Sequence, residues 1–343
     1  MSTSSDENSV VGEKRAPALE LGPRKKSRVS DPLVSTGRHF CRTVFAMCHP
    51  VALLTNGLAR EVELEEKSLE DFNAKERSEH SVFRELLKMV PGLEDRIQDF
   101  DELEIVADHL RKGGASARGD DTKGLKGAIL DWIAPKGDVL RPSISRNSKV
   151  NRGFHHETTG ALLCPTFMDW SDPKTKSGLQ TGEIAATGDS WPMFLYADSL
   201  YDENDPWKGL LCSQLLINAF KFVFTSPSSV DKDASKATRS GNARLHGMTR
   251  TTKASIAYIA TQVRFALCSA SVFARTDTIT DSERFYHSIL ELLNDPEEAK
   301  EVGELLSWWD GQVFASFAKP LRPISSNSVA QKIRARRQAA SAV

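Results

Sequence analysis

Residues 254–274, ASIAYIATQVRFALCSASVFA, place apolar side chains around the whole circumference of a helix, with Thr261, Gln262 and Arg264 near its middle. A helix that is apolar all round is buried, either inside a protein or in a membrane. The central arginine decides between the two, because it costs roughly 2.5–3.5 kcal/mol in a bilayer. The segment is therefore the core helix of a soluble fold and not a membrane span. A second run of the same kind, Leu210, Leu211, Leu215, Leu216, Ile217, Phe220, Phe222, Val223 and Phe224, follows Asp205-Pro206, which reads as an N-cap with proline at the first helical position.

Two such helices need others to cover them, and the chain supplies amphipathic ones. Val82, Phe83, Leu86, Leu87, Val90, Leu93 and Ile97 recur on one helical face, divided by Pro91. Leu103, Ile105, Val106 and Leu110 continue until KGGASARGDD breaks the pattern. Asp121 then offers an N-cap for a stripe of Leu125, Ala128, Ile129, Trp132 and Ile133. Thr280 with Glu283 reads as a capping box before Phe285, Tyr286, Ile289, Leu290 and Leu293; a last stripe holds Val302, Leu305, Leu306, Trp308, Trp309, Val313 and Phe314. Between residues 136 and 204 periodicity fails, which predicts packed irregular structure. The expected fold is mainly α: one large irregular helical domain over residues 38–318, with the acidic helices of 61–134 as a separable subdomain. Disordered basic tails are expected at 1–37 and 319–343.

The formal net charge of −1 rules out a uniformly basic coat, but the charge is segregated. Residues 61–110 hold sixteen acids against six Lys or Arg, whereas residues 236–275 hold seven Lys or Arg and no acid. The first residues lack the pattern of an export signal, and five scattered cysteines fit a reducing compartment. PRKKSRV contributes Arg24, Lys25, Lys26 and Arg28, a pattern resembling a nuclear import signal; KIRARR lies near the other end.

The segment ATRSGNARLHGMTRTTK (residues 237–253) brings Arg239, Arg244, His246, Arg250 and Lys253 to the start of the core helix. Glycines, hydroxyls, guanidinium forks and helix-end amides are what a phosphate needs, and Arg264 inside the helix needs a carboxylate, a carbonyl or a bound anion. Thr249, Thr251 or Thr252 is expected to cap that helix and leave its amides facing the loop. The alternative is an ordinary solvated loop, since GNARLHG matches no phosphate-loop motif. His155, His156 and Cys164 could ligate zinc, but without diagnostic spacing they read as structural, as do Cys41, Cys48 and His49. No cofactor is implied. Trp170 and Trp191 could stack bases or simply anchor packing.

The succession RGFHHETTGALLCP, DPWKGLLCSQLLINAFKFVFTSPSSV, ATRSGNARLHGMT, SIAYIATQVRFAL and TDSERFYHSILELL resembles an uncharacterised, domain-of-unknown-function family of mushroom-forming (basidiomycete) fungi, associated with genomes rich in mobile elements. The resemblance covers roughly residues 120–317 and brings no catalytic residues with it. It implies a lineage-restricted intracellular protein, not a core metabolic enzyme. The resulting expectation is a nuclear protein associated with nucleic acid or chromatin, cytoplasmic in the alternative, with loop 239–253 contacting phosphates. Two alternatives stand beside it. One is an enzyme on a phosphorylated or nucleotide substrate, using the same arginines with His246 or His156 as acid or base. The other is a scaffold that meets protein partners through the acidic helices.

Overall fold

The computed structural model describes residues 31–135, 138–230, 241–275, 281–314 and 329–340. Among them, regular structure is helical apart from two isolated antiparallel bridges, Pro165 with Pro192 and Tyr196 with Leu210. The chain begins with α1 (Pro32–Thr43), α2 (Pro50–Glu63), α3 (Ala74–Met89), the one-turn α4 (Leu93–Arg96) and the long α5 (Phe100–Ile133). α6 (Glu157–Leu163) and α7 (Pro173–Thr181) interrupt the irregular middle. Then come α8 (Gln214–Phe220), α9 (Asn242–Leu245), α10 (Lys253–Leu267), α11 (Ser282–Asn294), α12 (Ala299–Val313) and α13 (Val329–Ala340). The last of these falls inside the C-terminal stretch expected to be without structure.

α10 is the axis of the fold. Every residue from Ala254 to Leu267 is buried, and the helix packs against α1, α5, α8 and α11. It ends at Leu267, short of the expected apolar run, because two buried cations close it. Arg152 donates from Nη1 to the carbonyl of Ala266 at 2.8 Å, and Lys149 donates to the carbonyl of Phe265. Cations at a helix C-terminus meet its negative end, and burial pulls the Lys149 ammonium down to about 8. Phe265 adds its ring beneath the same ammonium, 3.3 Å from Nζ to centroid.

α5 corrects the reading of KGGASARGDD as a break. It is one 34-residue helix, started by the Asp99 carboxylate accepting from the amides of Asp101 and Glu102. The glycines mark a helix crossing: a Cβ on Gly113 would stand 2.3 Å from the Val34 carbonyl, and one on Gly37 would stand 2.7 Å from that of Leu110. Each glycine costs about 1 kcal/mol of helix propensity, and backbone-to-backbone packing against α1 offsets it. Nor is Asp121 a cap. It is buried mid-helix, taking the Arg42 guanidinium on both oxygens at 2.8 and 2.7 Å and the Tyr258 hydroxyl at 2.6 Å. This triad joins α1, α5 and α10.

Two further helix starts differ from expectation. α8 begins not at Asp205-Pro206 but after Ser213, whose hydroxyl accepts from the Leu216 amide; residues 205–212 form turns in which Leu211 takes φ 57°. α11 begins at Ser282 behind Asp281, while Glu283 binds Arg275 instead of capping; Thr280 lies outside the described residues.

The buried side chains form two clusters. Leu33, Phe40, Leu54, Phe83, Leu86, Val106 and Leu110 make one from α1–α4 and the first half of α5. The second half of α5 enters the larger cluster around α8, α10, α11 and α12, where Trp309 is fully buried and donates to the Leu211 carbonyl at 3.1 Å. The acidic stretch 61–134 is thus shared between both cores. No helix among the described residues is long and apolar enough to cross a membrane.

Candidate nucleic-acid interface

The start of α10 is built from Thr251, Thr252 and Ser255. Thr252 is the N-cap: its Oγ1 accepts from the Ser255 amide at 3.0 Å, and Ser255 Oγ accepts from the Thr252 amide at 3.0 Å. The cap, expected at Thr249, Thr251 or Thr252, thus falls on Thr252 and takes the amides of Thr252 and Ser255. Asp310 of α12 reaches across, its Oδ1 accepting from the Thr251 amide at 2.7 Å and hydroxyl at 2.8 Å. A carboxylate of the protein's own therefore lies beside the positive end of the helix.

What remains available is cationic side chain. Arg244, on the single turn of α9, and Arg250 are exposed, and Lys253 is half-buried. None of the three forms an ion pair with a carboxylate among the described residues. In the acidic half, by contrast, Arg60, Lys67, Arg84, Lys88 and Arg96 are each paired to a glutamate. Arg239 lies outside the described residues, as do Arg24, Lys25, Lys26 and Arg28.

His246 and Arg264 do not join that face as cations. The His246 ring stacks on His39 of α1, centroids 4.3 Å apart and planes within 5°. Burial first, then His246 and Arg42, pull His39 down to about 4; burial, Arg42 and Arg38 lower His246. Two neutral rings can stack so closely where two imidazolium ions would repel. Arg264 sits eleven positions along α10 from Lys253, about 16 Å at 1.5 Å per residue. Its Nη2 donates to the carbonyls of Ala186 and Thr187 at 3.0 and 3.1 Å, and its guanidinium lies 4.6 Å from the Phe285 ring centroid. With His155 and Ser269 it lines a cleft of about 490 Å³ at the other end of the helix.

The zinc candidates are occupied structurally. His156 is buried, its Nδ1 accepting from the Thr158 amide at 3.1 Å to cap α6 and its Nε2 donating to the Pro142 carbonyl at 2.8 Å. The Cys164 thiol faces the carbonyls of Pro165 and Met168, both at 3.7 Å, and burial pushes it up to about 11. His155 is exposed. Burial likewise raises Cys41 to about 11 and raises Cys48, so both remain thiols. No group of three or more metal-ligating side chains occurs among the described residues. Both tryptophans held open for base stacking are pinned by their indole N–H groups: Trp170 to Glu157 and Trp191 to the Ser288 hydroxyl, each at 3.0 Å.

Sequence reasoning missed Asp310, Asp121, Lys149 and Arg152. Each acts on an element more than fifty residues away, as a carboxylate or cation closing a distant helix end or ion pair. Nothing local in the sequence carries that information.

Architecture and surface together define a mainly α protein with a buried central helix and, near the start of that helix, cations that no carboxylate pairs among the described residues. The chain belongs to a family of unknown function, DUF6698, whose model matches residues 112–314. No curated protein and no solved structure matches it.

Proposed function

We propose that the protein associates with nucleic acid or chromatin in the nucleus, and that Arg244, Arg250 and Lys253 contact backbone phosphates. The observation that carries this reading is the exposure of Arg244 and Arg250 with no carboxylate paired to them among the described residues. Lys332, Arg336 and Arg337 on α13 are exposed as well, adding a second cationic element to the same chain. Such contacts position a protein on a phosphate backbone without reading bases. Restriction of the family to mushroom-forming fungi with genomes rich in mobile elements belongs to the same proposal.

The test is binding of the full chain to a duplex DNA and a single-stranded RNA, each about 20 nucleotides long, over a range of salt. Each lost phosphate contact lowers the slope of log affinity against log salt by about 0.9 on duplex DNA. The double variant R244A/R250A is expected to lose close to two such contacts. Unchanged affinity and slope at low salt would remove this face from the function.

A further inference from the structure

A cleft of about 470 Å³ opens between the last turn of α5 and α6, and none of Arg244, Arg250 and Lys253 lines it. Its walls include the indoles of Trp132 and Trp170, the thioethers of Met168 and Met193, and Leu215. The size and apolar lining are those of a small-molecule site.

Two features say what would occupy it. Asp169 is the one acid among the lining residues, and no lysine, arginine or histidine lines the cleft. Its carboxylate is fixed by the Ser171 amide at 2.8 Å and hydroxyl at 2.6 Å, and these bonds hold it below the usual carboxylate range. A carboxylate has about four lone-pair positions, so two stay open to a ligand donor. Trp170 meanwhile already carries an ammonium on its ring: Lys176 Nζ lies 5.2 Å from the centroid, held by Glu157 at 2.8 Å. The indole itself is locked, because it packs where a Cβ on Gly160 would stand 2.2 Å away.

We propose that this cleft binds a small organic amine with a flat apolar body, its rings against Trp132, Met168 and Met193 and its ammonium on Asp169. A neutral analogue would fill the walls but leave the carboxylate unanswered, and an anionic one would be repelled. The proposal is independent of nucleic-acid binding.

The test uses the full chain with ¹³C-methyl methionine, titrated with 2-naphthylmethylamine, 2-naphthylmethanol and 2-naphthoate. The amine is expected to shift the Met168 and Met193 signals saturably, while Met47 and Met248, buried in the main core, stay in place. It should bind about 3- to 5-fold tighter than the alcohol, with naphthoate weakest, because Asp169 is exposed and water screens its pairing with the ammonium. In Asp169→Asn, checked for an unchanged melting temperature, the preference for the amine over the alcohol should disappear as that charge assistance is lost. The proposal is overturned if the amine leaves Met168 and Met193 unshifted at millimolar concentration, if alcohol or naphthoate binds as tightly as the amine, or if the preference survives in Asp169→Asn.

Discussion

Asp310 accepts hydrogen bonds from both the amide and the hydroxyl of Thr251, so a carboxylate of the protein's own stands beside the end of the central helix that a phosphate would seek. Removing that carboxylate separates two consequences. Asp310→Ala leaves the amide and hydroxyl of the buried Thr251 without that partner, which should destabilise the fold by about 1–3 kcal/mol. The same change opens the helix end to an outside anion. Inorganic phosphate is therefore expected to raise the melting temperature of Asp310→Ala more than that of the native chain, and equal shifts would show that the helix end stays closed.

The Arg42–Asp121–Tyr258 triad should be far more sensitive to its acid than to its hydroxyl. Asp121→Ala strands a buried guanidinium, for which about 3–5 kcal/mol is expected. Tyr258→Phe removes one hydrogen bond from a carboxylate that keeps its arginine, costing about 1–3 kcal/mol. Urea unfolding of both variants gives the order, and a larger loss for Tyr258→Phe would contradict the assignment of the triad's charge balance.

The stacked histidines predict an acid-side loss of stability. His39 is held at about 4 in the folded chain, below the ordinary histidine value of 6.5, so between these pH values the unfolded chain binds more protons. Its contribution is fully present above about pH 6.5 and is lost as pH falls toward 4. His39→Phe keeps a ring against His246 without the titration. The difference in stability between native chain and variant should shift in the variant's favour across that window, measured by urea unfolding at stepped pH; a constant difference would sink the prediction.

Glycines within α5 should respond with opposite signs. Gly113→Ala drives a methyl into the Val34 carbonyl and should destabilise by about 1–3 kcal/mol, the usual cost of overpacking. Gly119→Ala meets nothing within 4 Å and should stabilise by about 0.5–1 kcal/mol through helix propensity. Thermal melts of the two variants decide it.

The central helix was legible because an all-round apolar segment has few environments open to it, and hydroxyl chemistry narrowed its cap to Thr249, Thr251 or Thr252, of which the fold uses Thr252. The division of α3 from α4 at Pro91 follows from proline's missing donor. α5 was misread because two adjacent glycines look alike whether they end a helix or admit a neighbouring backbone; the Val34 carbonyl that distinguishes the cases lies about eighty positions earlier. The cationic face was legible as composition, since the acid-free run of residues 236–275 stands out by counting. What could not be read was which of its members the fold consumes. Arg264 spends its fork on two carbonyls and His246 stacks as a neutral ring, both through residues distant in sequence.

α1 grips α5 at two heights, by glycine contact at Gly113 and by charge at Asp121, so the spacing between those positions is a fixed gauge. Inserting one residue between them would turn one end of the rod about 100° against the other. Contact and charge could then no longer engage the same partner helix. Point changes on the outer surface of this interval should be forgiven, while any change of its length should uncouple the N-terminal helices from the body of the protein.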